Sequence, residues 1–134
     1  MSECDLELCK LMISHGADVN SVDEMKATVL HHCCYYEDQK LEKVEYFISL
    51  GASPKVLDSE EKSPLFFEVG KRNPSFEICK LFLDKGTDPN HKSVPYGENC
   101  GHPLCWRTAN PQIFKLLLIF GLDVNQAGEV RIKN

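Results

Sequence analysis

The chain has no apolar run approaching the length of a membrane span; the longest covers residues 116–120. Its first ten residues, MSECDLELCK, are acidic and have no apolar centre, so no secretory signal is expected. An excess of basic side chains is also missing. The formal net charge is −5, which argues against nucleic-acid backbone and anionic membrane as partners. No Gly-rich phosphate loop, Gly-x-Ser-x-Gly or His-Glu-x-x-His motif occurs, so nothing points to an enzyme. His32 and Cys34 near Tyr35 could be imagined as a nucleophile pair, but no third group is in sight to orient them. The seven cysteines are odd in number and follow no disulfide framework, and the adjacent Cys33 and Cys34 cannot easily bridge each other. Free thiols in a reducing compartment, cytosol or nucleus, are the simpler expectation.

What is present is ordinary for one folded domain: 134 residues, 43% hydrophobic and 26% charged. The informative feature is internal repetition. LCKLMISHGADVN (8–20), KVEYFISLGASPK (43–55), ICKLFLDKGTDPN (78–90) and IFKLLLIFGLDVN (113–125) place glycines at 16, 51, 86 and 121, 35 residues apart each time. Apolar residues at helical spacing, such as Ile78, Leu81 and Phe82, precede each glycine. The pattern predicts an amphipathic helix closed by a left-handed glycine. A polar, turn-rich stretch follows, then a second motif: TVLHHCCYY (28–36), SPLFFEVGK (63–71) and HPLCWRTAN (102–110). Thr28 and Ser63 suit an N-cap, and Pro64 and Pro103 suit a first helical turn.

These segments resemble the ankyrin-repeat family, whose signature is T-P-L-H-x-A. GADVN (16–20) resembles the family's usual repeat ending, and TVLHHC, SPLFFE and HPLCWR stand where the signature belongs. The resemblance implies an all-α solenoid of about three and a half helix-turn-helix repeats with β-hairpin-like fingers. It divides the single domain into a partial repeat (1–20), repeats at 21–55, 56–90 and 91–125, and a tail (126–134). Counted from His102, the third finger (92–100) is four residues longer than the others and is expected to project. The last helix, 113–120, is apolar almost all round, whereas a terminal repeat wants a polar outer face. Further repeats, the tail or self-association are therefore expected to cover it, and the chain reads as a possible segment of a longer array.

The resemblance also implies roles for single residues. Thr28 and His31 are expected to hydrogen-bond each other, with Phe66 and Cys105 as buried stand-ins for the histidine. The signature's alanine slot holds Cys33, Glu68 and Arg107. A lone buried charge is costly, so Glu68 and Arg107 are expected to pair across the stack unless the helix shifts and leaves both partly solvated. The next slot faces the family's binding groove and holds His32, Phe67 and Trp106, with Tyr35, Tyr36 and Lys71 along the same face. Large flat side chains on an exposed face point to protein binding, against the alternative that they pack on the finger bases. The finger tips Glu24, Met25, Lys26, Glu60, Glu61 and Tyr96 would complete the surface.

The function implied is a non-catalytic module that binds another protein as scaffold, adaptor or inhibitor, with no cofactor. One alternative is a ligand reader in which Phe67 and Trp106 stack a nucleobase or cage a methylated lysine; another is a structural spacer. His91, Cys100, His102 and Cys105 make a conceivable metal set, but their spacing fits no usual paired-ligand pattern, and no metal is expected. Asn125 stands in a sequence context resembling asparagines that are hydroxylated in this family, although the same residues serve turn geometry.

Overall fold

The structure is a computed structural model and describes residues 6–35, 41–104 and 110–125. Seven helices form among them and no strands. Four outer helices, α1 (Leu6–Ser14), α3 (Leu41–Ser49), α5 (Phe76–Asp84) and α7 (Pro111–Ile119), alternate with three short inner ones, α2 (Val29–Tyr35), α4 (Pro64–Val69) and α6 (Gly101–Pro103). This is the all-α repeat array that the 35-residue period implies.

The glycines end the outer helices as expected. Gly16, Gly51, Gly86 and Gly121 have φ between 95° and 101°, where a side chain would be strained. The residue after each glycine donates its N–H to the carbonyl five positions back: Ala17 to Met12, Ala52 to Phe47, Thr87 to Phe82 and Leu122 to Leu117 (2.9–3.2 Å). Each glycine's own N–H donates to the carbonyl three positions back (3.0 Å), so two orphan carbonyls are satisfied in each copy. At the other ends, Ser63, Ser75 and Asn110 cap α4, α5 and α7 through their side-chain oxygens. Leu30, Val44, Phe47, Leu65, Ile78, Phe82, Ile113 and Leu117 are fully buried between the two layers.

The fingers are tight turns, each closed by one backbone pair. Asp23 N–H donates to Ala27 O and Asp58 N–H to Lys62 O, each at 3.0 Å. Asp23 and Asp58 also accept two backbone N–H groups across the turn through Oδ1. In the third finger Ser93 N–H reaches Glu98 O, one residue further along. Successive tips are joined by Ser59 N–H to Met25 O (2.8 Å) and Val94 N–H to Glu60 O (2.9 Å). The third finger therefore lies against the second instead of projecting from it.

Asparagines brace neighbouring repeats. Asn20 Nδ2 donates to Gly51 O (2.9 Å) while its Oδ1 accepts Ser53 N–H (3.0 Å). Asn90 does the same with Gly121 O (2.8 Å) and Asp123 N–H (2.7 Å). The middle copy has Lys55 at this position. A Thr87 Oγ1 to Pro54 O bond (3.3 Å) stands there instead, beside a cleft lined by Lys55, Gly86 and His91. Lys55→Asn is expected to restore both bonds, to Gly86 O and Asp88 N–H, and to stabilise the fold by about 1 kcal/mol. Urea unfolding checks this as a raised midpoint at unchanged slope.

Candidate protein-interaction surface

Thr28 and His31 set the angle between finger and inner helix. Thr28 donates its N–H to His31 Nδ1 (3.0 Å), with Thr28 Oγ1 at 3.0 Å from the same nitrogen. His31 is therefore protonated on Nε2, which donates to Lys62 O in the next finger (2.8 Å). Burial lowers the His31 pKa and keeps the ring neutral. In the third repeat Ser63 caps its own helix, and Phe66 in the histidine slot is half-buried instead of buried, with Lys62 Nζ 5.2 Å from its ring centre.

The last repeat corrects the alignment read from HPLCWR. Asn99 N–H donates to His102 Nδ1 (3.1 Å), as Thr28 does to His31, and both residues are buried. Asn99 thus takes the threonine's place and His102 the histidine's, one helical turn earlier than the letters suggest. The spacing to the outer helix agrees. Ser63 precedes the cap Ser75 by 12 residues and Asn99 precedes the cap Asn110 by 11, whereas His102 would stand only 8 away. From Gly86 to Asn99 is 13 residues, against 12 from Gly16 to Thr28, so the third finger is longer by one residue and not by four. Half-buried Pro103 now occupies the slot of His32 and Phe67, and buried Leu104 that of Cys33 and Glu68. Cys105, Trp106 and Arg107 lie outside the described residues, as does Tyr36. Counted from Asn99, Trp106 stands where Tyr35 does in its repeat and Arg107 where Lys71 does.

Glu68 is buried at 1% exposure, and the cation beside it is Lys71, with Oε1 and Nζ 3.0 Å apart. Glu68 Oε2 also accepts Ser75 N–H (2.9 Å), tying α4 to the start of α5. Lys71, read from the sequence as a groove residue, is 4% exposed and belongs to the interior. The reason is local: a carboxylate in an apolar layer draws in a cation, and Lys71 is one helical turn away.

What remains on the surface converges in the corner between fingers and inner helices. His32 Nε2 lies 2.8 Å from Asp23 Oδ2 of its own finger. The hydrogen bond from Ala27 N–H, joined by those from His32 and Met25 N–H, holds the Asp23 carboxyl below its usual range against the opposing effect of burial. Half-buried Phe67 meets the His31, Tyr35 and Phe66 rings edge-on, with centroids 6.0–6.2 Å apart. Lys62 Nζ lies 6.0 Å from the Phe67 centroid. Tyr35 is 66% exposed, and the tips Glu24, Met25, Lys26, Glu60, Glu61 and Tyr96 are all exposed. Sequence reading missed Asp23, which links finger to helix through His32; an acidic residue at the start of the finger turn was the available signal.

Of the metal-capable set, His91, Cys100 and His102 lie among the described residues and do not gather into a ligand group, while Cys105 lies outside them. His91 Nε2 faces Glu61 Oε1 at 3.5 Å, and His102 Nδ1 is committed to Asn99. Among the described residues no three His, Cys, Asp or Glu side chains form a metal-sized group. Burial raises the thiol pKa values of Cys33 to about 11 and Cys100 to about 12, and those of Cys34 and Cys79 well above normal. All four are free thiols unsuited to nucleophilic work.

A family model described as "Ankyrin repeats (3 copies)" matches residues 1–93. The chain belongs to the ankyrin-repeat family. Among curated relatives, "Putative ankyrin repeat protein FPV022" of Fowlpox virus is 28% identical over 127 residues, 74% of this chain and 22% of that protein. "NAD-dependent deacetylase sir2B" of Dictyostelium discoideum is 34% identical over 84 residues, 61% of this chain and 10% of that protein. "Transient receptor potential cation channel subfamily A member 1" of Homo sapiens is 34% identical over 84 residues, 63% of this chain and 7% of its own length. The chain thus spans about a fifth or less of these relatives. Ankyrin repeats are in general protein–protein interaction modules without catalysis of their own. The stretch shared with the deacetylase is an ankyrin stretch, and no helix among the described residues is long and apolar enough to cross a membrane.

Proposed function

We propose that this ankyrin array binds another protein in the corner between its fingers and inner helices. His32, Tyr35 and Phe67 would form the centre, with Trp106 continuing the row, and the finger tips would form the rim. The observation that carries the reading is exposed Tyr35 stacked edge-on against Phe67, on a face whose backbone is fixed by the His31 and tip-to-tip bonds. Rigid aromatic anchors surrounded by polar groups are the usual energetic centre of a protein interface. The exposed glutamates at the tips suit basic side chains on the partner. Repeats at 21–55, 56–90 and 91–125 after a partial one at 1–20 would supply this surface. The role would be that of scaffold, adaptor or inhibitor, in cytosol or nucleus, where buried free thiols persist.

Ligand reading is the weaker alternative. The ammonium of Lys62 already lies 5.2 Å from the Phe66 and 6.0 Å from the Phe67 ring centre, the place a methylated lysine would need beside Phe67. Tyr35→Ala and Trp106→Ala test the proposal in capture from a lysate, with circular dichroism to verify folding. Loss of proteins that wild type retains supports groove binding. Unchanged capture, or loss confined to nucleotide or methyl-lysine peptide binding, overturns it.

A further inference from the structure

The middle of the array leaves open a bonding pair that it closes on either side. Asn20 and Asn90 each present one carboxamide to two backbone groups of the following repeat. Nδ2 donates to a glycine carbonyl, and Oδ1 accepts the N–H two residues on (2.7–3.0 Å). At the middle junction the same two groups are Gly86 O and Asp88 N–H, and among the described residues neither has a hydrogen bond. Lys55 stands where the asparagines do and cannot replace them. An ammonium donates but accepts nothing, so Asp88 N–H is left over in any rotamer. The lysine arm instead lies across Gly86, with Cε 2.8 Å from where a Cβ on that glycine would stand. Gly86 and Asp88 border a cleft of about 190 Å³ that Lys55, Leu57, Ser63 and His91 also line. That is room for a side chain and far more than one water needs. His91 Nε2 is buried and makes no hydrogen bond; Glu61 Oε1 stands 3.5 Å from it.

We infer that this cleft binds a primary carboxamide, the side chain of an asparagine or glutamine carried by a partner protein. The class follows from the pair itself. One acceptor and one donor stand two residues apart, in a setting that a carboxamide spans twice elsewhere in the same chain. The backbone geometry is shared: φ is +96° at Gly86, +101° at Gly51 and +95° at Gly121. A carboxylate would accept from Asp88 N–H but set its second oxygen against the Gly86 carbonyl. An ammonium or guanidinium would leave Asp88 N–H unmet. The carboxamide has to come from outside, because the residue placed to supply it is a lysine. Neither Tyr35 nor Phe67 lines the cleft, so this site is independent of the corner between fingers and inner helices.

The test titrates the isotope-labelled chain with N-acetylasparagine methylamide and follows backbone amides by NMR, with the aspartate analogue as the isosteric control. The carboxamide is expected to shift the Asp88 N–H resonance saturably in the millimolar range, and the aspartate to bind about tenfold more weakly. Lys55→Asn turns the chain's own carboxamide onto Gly86 O and Asp88 N–H and is expected to abolish binding with the fold intact. Lys55→Ala leaves the pair open and should bind the probe, as should Tyr35→Ala, which alters only the corner. Equal binding of the aspartate would mark an anion site at Lys55 and His91 and overturns the inference. Shifts that do not saturate, the behaviour of a cleft that holds water alone, overturn it too. So does a Lys55→Asn variant that binds the probe as wild type does.

Discussion

Lys71→Met is expected to lower the unfolding free energy by about 3–5 kcal/mol, the largest effect of any single change considered for this chain. Glu68 would be left as a carboxylate at 1% exposure with Ser75 N–H as its remaining polar contact among the described residues, near Cys33, Cys34 and Cys79, whose thiols already feel its charge. The loss comes from stranding a charge and not from the intrinsic worth of the pair. Glu68→Gln in the same background should therefore recover most of the stability, since glutamine keeps an acceptor for Ser75 and carries no charge. Urea unfolding of both single variants and the double variant gives the coupling. Equal losses that simply add would contradict a mutually dependent buried pair.

His31→Ala is expected to cost about 2–4 kcal/mol. It leaves the buried Thr28 N–H without its acceptor, removes the donor to Lys62 O and opens a cavity beneath Phe67. A pH signature accompanies the loss. Burial depresses the His31 pKa in the folded state, so the unfolded chain binds protons more readily, and stability rises with pH. The contribution is complete above the unfolded value of about 6.5 and is lost as pH falls from there toward the depressed folded value. His102, whose pKa burial also lowers, adds in the same direction. Urea midpoints at pH 7.5 and 5.5 should differ less in His31→Ala than in wild type. An unchanged difference would mean that His31 titrates alike in both states.

How much of this could be read in the letters varies along the chain. The period was plain, because four glycines must each take a left-handed conformation and few residues can replace them. Thr28 and His31 were equally plain, since both residues of their bond are spelled out. The last repeat misled because HPL copies the form of the signature while the bond it stands for runs from Asn99 to His102. The distance back from Asn110 was the better guide, since the inner helix and the loop after it take nearly the same length in each repeat and finger letters are not so bound. Lys71 misled for another reason. Helical spacing assigns a direction, but a buried carboxylate one turn away decides where a flexible ammonium goes. Tyr35 and Phe67 could be placed on one face from the letters, but not their edge-on contact, which joins residues 32 apart through the angle between two helices.

The central claim is that the finger–helix corner, and not the outer helices, meets another protein. A photoreactive phenylalanine analogue in place of Tyr35 in the corner, compared with the same analogue in place of the exposed Lys80 on α5, tests it directly in a cell lysate. Discrete higher-mass adducts at position 35 and none at position 80 are the expected result. Adducts at position 80 alone, or none at position 35, would contradict the account.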